Sequence, residues 1–434
     1  MPQGTIDHMN ELRNVTTGPV LLPGDDGFDA ARRPWNLSVD QPVRAVVEAA
    51  DADDVAAVIG YARRHGLAVT AQPGGHGASG DTEGAILLRT GRLGGVEIED
   101  GVARVGAGVK WGEVLAAASP LGLTGLAGSS PVVSVTGYTL GGGLSWFSRK
   151  YGFAANSVRA FDAVDAEGGR IRVTAERDPE LFWALRGGGG DFAIVTALEF
   201  DLYPAPFLYG GRMIWPADRA AQVMAAFREV TESAPEELTV WFQLLTPPGA
   251  PGFVMMDCTY LGADPGALLR PFEAVGGAIA DTRRLLPVAE LASICDEPVD
   301  PSPGAGHTEL LTGLDDEVAG VLLGEPIEPL VAVQVRHLGG AVARPVEGGG
   351  AVERLPEPYL VHALGMASEE VSERLERLGK ALVPYGSGRR PYTMLHGGEQ
   401  AAAAFSPETL TRLRALKRAR DPLSVIRANY PVLG

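Results

Sequence analysis

His76 is where reactive chemistry is easiest to place in this sequence. It lies in the segment Gln72-Pro73-Gly74-Gly75-His76-Gly77-Ala78-Ser79-Gly80, with a glycine on either side. A lone histidine is more often structural than reactive. One inside a glycine loop, however, has no helix face to pack against, and an imidazole nitrogen there can face a bound molecule directly. Two further glycine-dense stretches follow, with glycine at 137, 141, 142 and 143 and again at 187 to 190. Backbone N–H groups with no side chains in the way form nests that hold pyrophosphate oxygens, so such loops suit a dinucleotide. Tight turns would account for one loop of this kind; three favour the ligand. Two common solutions are excluded by spacing: no Gly-x-Gly-x-x-Gly follows the first strand, and no Gly-x-x-x-x-Gly-Lys-Ser/Thr occurs.

The elements that must position these loops begin as strand, helix, strand. Residues 44–49 read as a strand and 51–65 as a helix, with Val55, Val58, Ile59 and Ala62 at helical spacing, Asp51 placed to cap the start and Gly66 to end it. A strand at 67–71 then runs into the histidine loop, an α/β ligand-binding arrangement. Strands are expected at 85–88 and 102–107, a helix at 111–118, a hairpin of 158–165 with 171–173, a helix at 179–185 and a strand at 192–202. Residues 123–143 form a long small-residue segment whose glycine content calls for close backbone approach or positive φ. Tyr203-Pro204-Ala205-Pro206 marks a change in composition. Beyond it, helices near 217–230 and 266–275 and strands near 238–245 and 252–260 describe an α+β region, and 341–358 reads as a surface loop.

Composition narrows the function classes. The 434 residues are 45% hydrophobic and 21% charged, ordinary for a globular protein. Asp and Glu outnumber Lys and Arg by 54 to 37, a net charge of −17, and no basic cluster offers a groove for nucleic acid. Cys258 and Cys295 are the only cysteines, too few for a disulfide framework or a thiolate metal site, so no metal is expected. Residues 1–10 lack a basic run followed by an apolar core, and no stretch reaches the roughly 18 apolar residues of a membrane span. The expectation is a soluble cytoplasmic protein. Scarce lysine with abundant Ala and Gly suggests a GC-rich bacterial genome.

The loop Pro73-Gly74-Gly75-His76-Gly77-Ala78-Ser79-Gly80 resembles the Gly-Gly-His-Ser-x-x-Gly loop of the berberine-bridge-enzyme-like flavoproteins, whose histidine is joined to FAD. Other blocks agree in order and spacing: Gly106-Ala107-Gly108-Val109-Lys110-Trp111, Leu140-Gly141-Gly142-Gly143-Leu144-Ser145-Trp146, Leu181 to Phe192, Gln334 to Ala341, and Asp421-Pro422 to Asn429. The resemblance implies an α+β fold of the PCMH type: an FAD-binding domain over 1–205, an α+β substrate domain with an antiparallel sheet over 206–388, and a C-terminal segment, 389–434, returning to the first. It implies cofactor contacts from Gln72, Pro73, Gly74, Gly75, His76, Gly77, Ala78 and Ser79. Gly128, Ser129, Val133, Thr136, Gly137 and Gly142 would line the pyrophosphate and flavin, Ile194 the adenine side, and Asn429 would return from the C-terminus.

Departures from the family pattern sharpen the expectation. Relatives attach FAD a second time through a cysteine in Arg-Lys-Tyr-Gly-x-x-Cys; here the block is Arg149-Lys150-Tyr151-Gly152-Phe153-Ala154-Ala155, so one covalent link, through His76, is expected. Where relatives commonly place a glutamate base this chain has Gln334, whose carboxamide orients a substrate but takes no proton near neutral pH. The resemblance then makes Tyr392 the first choice as proton acceptor, with His337, His396 or water as others. Trp241, Phe242 and Gln243 either line the site or belong to the sheet core. The implied function is an FAD-dependent oxidase or dehydrogenase of specialised metabolism, acting on a small organic molecule with O2 as the reoxidant. The alternatives are a redox-neutral cyclisation or isomerisation, flavin–oxygen-adduct chemistry, or flavin binding with catalysis lost.

Overall fold

Asp51 sets where the first long helix begins. In the computed structural model, which describes residues 9–434, its side chain accepts the N–H groups of Asp53 and Asp54, and Gly66 closes the helix in the left-handed conformation. Between them α1 (Ala52–His65) buries Val55, Val58, Ile59 and Ala62. It follows β1 (Val20–Leu21) and β2 (Ala45–Glu48) and leads to β3 (Val69–Ala71) and β4 (Ile86–Arg89), which form a four-stranded sheet ordered β1-β2-β4-β3 with β2, β4 and β3 parallel. The histidine loop leaves the C-terminal end of β3.

A second sheet is antiparallel. β5 (Val96–Glu99) and β6 (Val102–Gly106) precede α2 (Trp111–Ala118) and the short α3 (Val135–Leu140); β7 (Val158–Val164), β8 (Arg170–Thr174), α4 (Pro179–Leu185) and β9 (Ile194–Asp201) follow, giving the order β5-β6-β9-β7-β8. Ile194 and Val164 reach into the core around α1, while Val105, Phe161 and Leu198 belong to a second core with Trp111 and Trp146. The segment 123–143 is thus not wholly irregular: it pairs Thr124 with Tyr203 and winds into α3.

The remaining sheet is the largest. β10 (Tyr209–Pro216), α5 (Ala220–Ser233), β11 (Leu238–Leu245), β12 (Phe253–Tyr260), α6 (Arg270–Val275), β13 (Gly304–Leu311), α7 (Asp316–Leu323), β14 (Ala332–His337), β15 (Tyr359–Met366) and α8 (Glu369–Leu382) assemble so that the six long strands run β10-β12-β11-β14-β15-β13, with two-residue strands at 280–281 and 284–285 on the β10 edge. Side chains alternate across a strand. Val240, Phe242, Leu244, Val254, Met256, Cys258, Val333, Val335 and Val361 therefore share one face and pack with helix residues Val223, Phe227, Phe272, Val318 and Leu375. Trp241, Gln243, Gln334, Arg336 and His362 share the other. α9 (Pro407–Arg420) precedes a C-terminal segment that pairs with β3: Val69 N–H donates to Val425 and Arg427 N–H to Val69, with Ile426 bridged to Val69.

Candidate active site

The loop after β3 presents His76 with both ring nitrogens uncommitted. Its ring stacks on Trp35 at 4.5 Å between centroids, and no hydrogen bond among the described residues uses Nδ1 or Nε2; Nε2 is fully enclosed. Burial, with the nearby charge of Lys110, lowers its pKa to about 4, so the imidazole is neutral and its lone pair available at pH 7. Gly75 can hold the loop only as glycine: its φ is +77°, and a Cβ there would run into Pro34 and the Gln72 side chain. Gln72 donates to Gln41 at 2.7 Å and to Asn429 at 2.9 Å, which fixes the C-terminal segment to this loop.

The segment 128–138 forms an adjoining wall. Gly128, Ser129 and Val133 lie on the approach to α3, and Thr136 and Gly137 in its first turn. Here, in the histidine loop and on either side of β4, buried polar atoms lack any partner among the described residues: Ser130 Oγ, Thr136 Oγ1 and the Tyr138 hydroxyl, Gln72 Oε1 and His76 Nε2, and Thr82 Oγ1 and Thr90 Oγ1. Each costs about 1–3 kcal/mol if left so. Neighbouring loops that leave donors and acceptors unpaired fit a polar group that binds among them, as the pyrophosphate and ring edges of FAD do. Trp35, Thr82, Thr90, Ser130 and Tyr138 escaped the sequence reading; Trp35 lies some forty residues upstream in a segment without pattern.

Opposite stands the polar face of the large sheet. Trp241 stacks on Trp146 of the first half at 3.6 Å, and the Arg336 guanidinium lies over Trp241 at 4.1 Å. Gln334 donates to Gln243 at 2.9 Å and accepts from Arg336 at 2.8 and 3.1 Å. Burial pushes the Tyr138 phenol up, opposed by the charge of Arg336, so the α3 wall and this face are electrostatic neighbours. Trp241 and Gln243 line the face, whereas Phe242 points into the helix-covered core. Next to Gln334 in register is His362, whose Nδ1 is 3.2 Å from Thr308 Oγ1; that hydroxyl is in turn 3.1 Å from His396 Nε2.

Two of the sequence-chosen residues, Tyr392 and His337, serve other purposes. Tyr392 is not arranged to accept a proton: its hydroxyl donates to the Tyr430 carbonyl at 3.0 Å, its ring packs against Phe405 and Tyr430, and burial beside Asp191 raises the phenol above its ordinary pKa. His337 faces away from the site. It lies 2.9 Å from Arg149, and burial together with that charge lowers it to about 2. Gly142 has φ +105°, as the glycine run called for, but the close approach is to Val352, 2.9 Å from where its Cβ would stand. Ile194 sits at the first position of β9, buried in the α1 core. Ala155 is buried, donating its N–H to Gly142, and Cys258 and Cys295 are buried free thiols, Cys258 pushed up to about 12 by burial.

An open cleft of about 680 Å³ lies elsewhere, on the second sheet between Asp51, Arg92, Arg104, Asp162 and Arg172. Arg104 and Arg172 are paired with Asp162 and Glu199, so its walls are largely self-neutralised and carry none of the loop chemistry. Among the described residues no group of three or more His, Cys, Asp or Glu is placed to hold a metal, and no helix is long and apolar enough to cross a membrane.

A parallel-stranded layer bearing a glycine-flanked histidine, an antiparallel layer and a sheet with one polar face make up an FAD-linked oxidoreductase whose fold is similar to that of the berberine-bridge-enzyme-like proteins. Residues 43–174 match the FAD binding domain family. The chain is 27% identical over 445 residues to (R)-6-hydroxynicotine oxidase of Paenarthrobacter nicotinovorans, covering 96% of each. Its fold is similar to that of BBE-like 1 of Physcomitrella patens, at TM-score 0.84 and 19% identity over 98% of both chains. It is also similar to the xylooligosaccharide oxidase of Myceliophthora thermophila C1 in complex with xylobiose, at TM-score 0.83 and 19% identity over 98% of this chain and 99% of that one.

Proposed function

We propose that this enzyme is an oxidase that carries FAD on a single covalent link at His76, oxidises a small polar organic molecule and returns the electrons to O2 as hydrogen peroxide. The observation that carries the reading is the set of buried, unpartnered polar atoms at Gln72, His76, Thr82, Thr90, Ser130, Thr136 and Tyr138, opposite a sheet face that presents Trp241, Gln243, Gln334, Arg336 and His362. When bound, FAD supplies the hydride acceptor. The chain's own residues do the rest. The segments 72–79, 128–137 and 142, with Ile194 and Asn429, would hold the dinucleotide. Gln334, fixed by Gln243 and Arg336, has one amide N–H left to orient a substrate. Two buried thiols without a disulfide suit a reducing cytoplasm.

The relatives named for 6-hydroxynicotine and xylooligosaccharides supply the first probes. The holoprotein is mixed anaerobically with (R)-6-hydroxynicotine, xylobiose and a panel of small alcohols and amines. The expected outcome is bleaching of the flavin band by at least one, with stoichiometric peroxide on admitting air. Turnover with no bleaching and no peroxide would move the reading to redox-neutral chemistry, and no turnover at all to flavin binding with catalysis lost, which the carboxamide at Gln334 permits.

A further inference from the structure

With Gln334 unable to take a proton and Tyr392 committed to the Tyr430 carbonyl, a substrate O–H or N–H needs another acceptor on the polar sheet face. His362 is the titratable side chain next to Gln334 there, paired with it Cα to Cα between β14 and β15. Its Nε2 has no partner among the described residues and is not fully enclosed, while Nδ1 meets the Thr308 hydroxyl. Thr308 is fully buried and touches His396 with the same oxygen, and the two imidazole rings are nearly parallel, 5.7 Å apart.

A hydroxyl has one proton, so Thr308 can donate to only one ring and must accept from the other. If it donates to His396 Nε2, then His362 carries its proton on Nδ1 and offers a bare Nε2 to the site. We propose that His362 Nε2 is the proton acceptor of the reaction and that Thr308 relays the charge to His396, away from the substrate. This rests on the oxidase reading above. In the step, the substrate O–H or N–H bond breaks and its proton binds His362 Nε2. The adjacent C–H bond leaves with its electron pair to the bound flavin, which is the oxidant, and C=O or C=N forms. The proton on His362 Nδ1 passes to Thr308 as the Thr308 proton passes to His396, so His362 ends neutral and His396 cationic. The chain resets by the reverse shift, the His396 Nε2 proton to Thr308 and the Thr308 proton to His362 Nδ1, with the proton on His362 Nε2 released to solvent.

The surrounding charges give the relay its direction. His362 is lowered by burial first, then by Arg336 on β14, His396, and His307 on β13, so it cannot keep a proton. His396 is lowered by burial too and opposed by His307 and Arg390, but Glu399 favours its cation and also accepts its backbone N–H at 2.7 Å. Thr308 touches neither substrate nor cofactor; it is a positioning residue.

The test begins on the resting holoprotein, with ¹⁵N-labelled histidine and NMR, the two rings assigned through H362N and H396N. At pH 7.5 the expected tautomer of His362 has Nδ1 protonated and Nε2 bare. T308V, which keeps the volume and removes the hydroxyl, should shift both rings, and T308S should restore them. An Nε2-protonated His362, or T308V spectra that leave both rings unmoved, would overturn the relay. Kinetically, T308V should slow anaerobic flavin reduction by at least about 10-fold at unchanged flavin content and reduce the solvent isotope effect, with T308S within about threefold of wild type; H362N should cost roughly 10²-fold. Full-rate reduction in H362N refutes the assignment. If no probe reduces the flavin, it is the oxidase reading that fails, and the tautomer still decides the relay.

Discussion

The two walls of the site are built on opposite rules. The wall proposed to hold the cofactor is backbone and small residues, and it leaves polar atoms at Ser130, Thr136, Tyr138 and His76 unpaired inside the protein. The sheet wall is large side chains that have already paired: Gln334 with Gln243 and Arg336, Thr308 with His362 and His396, Trp241 between Trp146 and Arg336. A resident group can be counted on to complete the first wall, so its orphans are tolerable. The second must hold its geometry through each exchange of substrate, and pre-paired dipoles need no reorganisation when the reaction begins.

The comparison is broken most violently at Gly142. A valine there must adopt φ near +105° and drive its Cβ to 2.9 Å from Val352, costs of about 1–3 kcal/mol for the backbone and about 1–3 for overpacking. Gly142→Val is expected to lose about 2–6 kcal/mol of stability and most of its flavin, read by urea melts and absorbance. Flavin content and a urea midpoint equal to wild type would show that this wall is not limited by shape.

A smaller effect separates the walls by pH. The unfolded-state histidine pKa is near 6.5; His337 is lowered to about 2, with His362 and His396 also lowered, all chiefly by burial. A depressed histidine binds its proton more readily when unfolded, so its contribution is fully present above pH 6.5 and is lost as pH falls toward the folded value. The melting temperature should therefore fall between pH 7.5 and 5, and H337N should flatten that slope. An identical slope in H337N would mean that His337 is not buried neutral.

The smallest effect belongs to Tyr392. Tyr392→Phe removes one hydrogen bond to Tyr430, worth about 1 kcal/mol, and flavin reduction should stay within about threefold of wild type. A loss near 10²-fold would return the phenol to the role of base and displace His362.

Legibility in the sequence followed the same divide. The histidine loop, α1 with its Asp51 cap and Gly66 stop, and the boundaries of α2, α4 and β11 were readable because local pattern decides them. What escaped depends on partners distant in sequence. β13 reads Gly-Ala-Gly-His-Thr-Glu-Leu-Leu, weak as a strand until β15 pairs with it. α9 is polar nearly all round and buries Lys417, whose ammonium joins Asp421 and the carbonyls of Asp191 and Ile426 in holding the C-terminal segment to the first half. Within the site, motif pointed to His76, while the Thr308–His362–His396 chain comes from three segments joined only by sheet register and a loop.

The central claim, a flavin held by His76 alone, is tested most directly by acid-precipitating the wild-type protein and mapping its peptides by mass. The prediction is a yellow pellet with one FAD per chain, carried on the peptide that contains residues 73–80, and complete release of flavin from His76→Ala. Colour left in the supernatant of the wild type, or a flavin mass on a peptide containing Cys258 or Cys295, would contradict it.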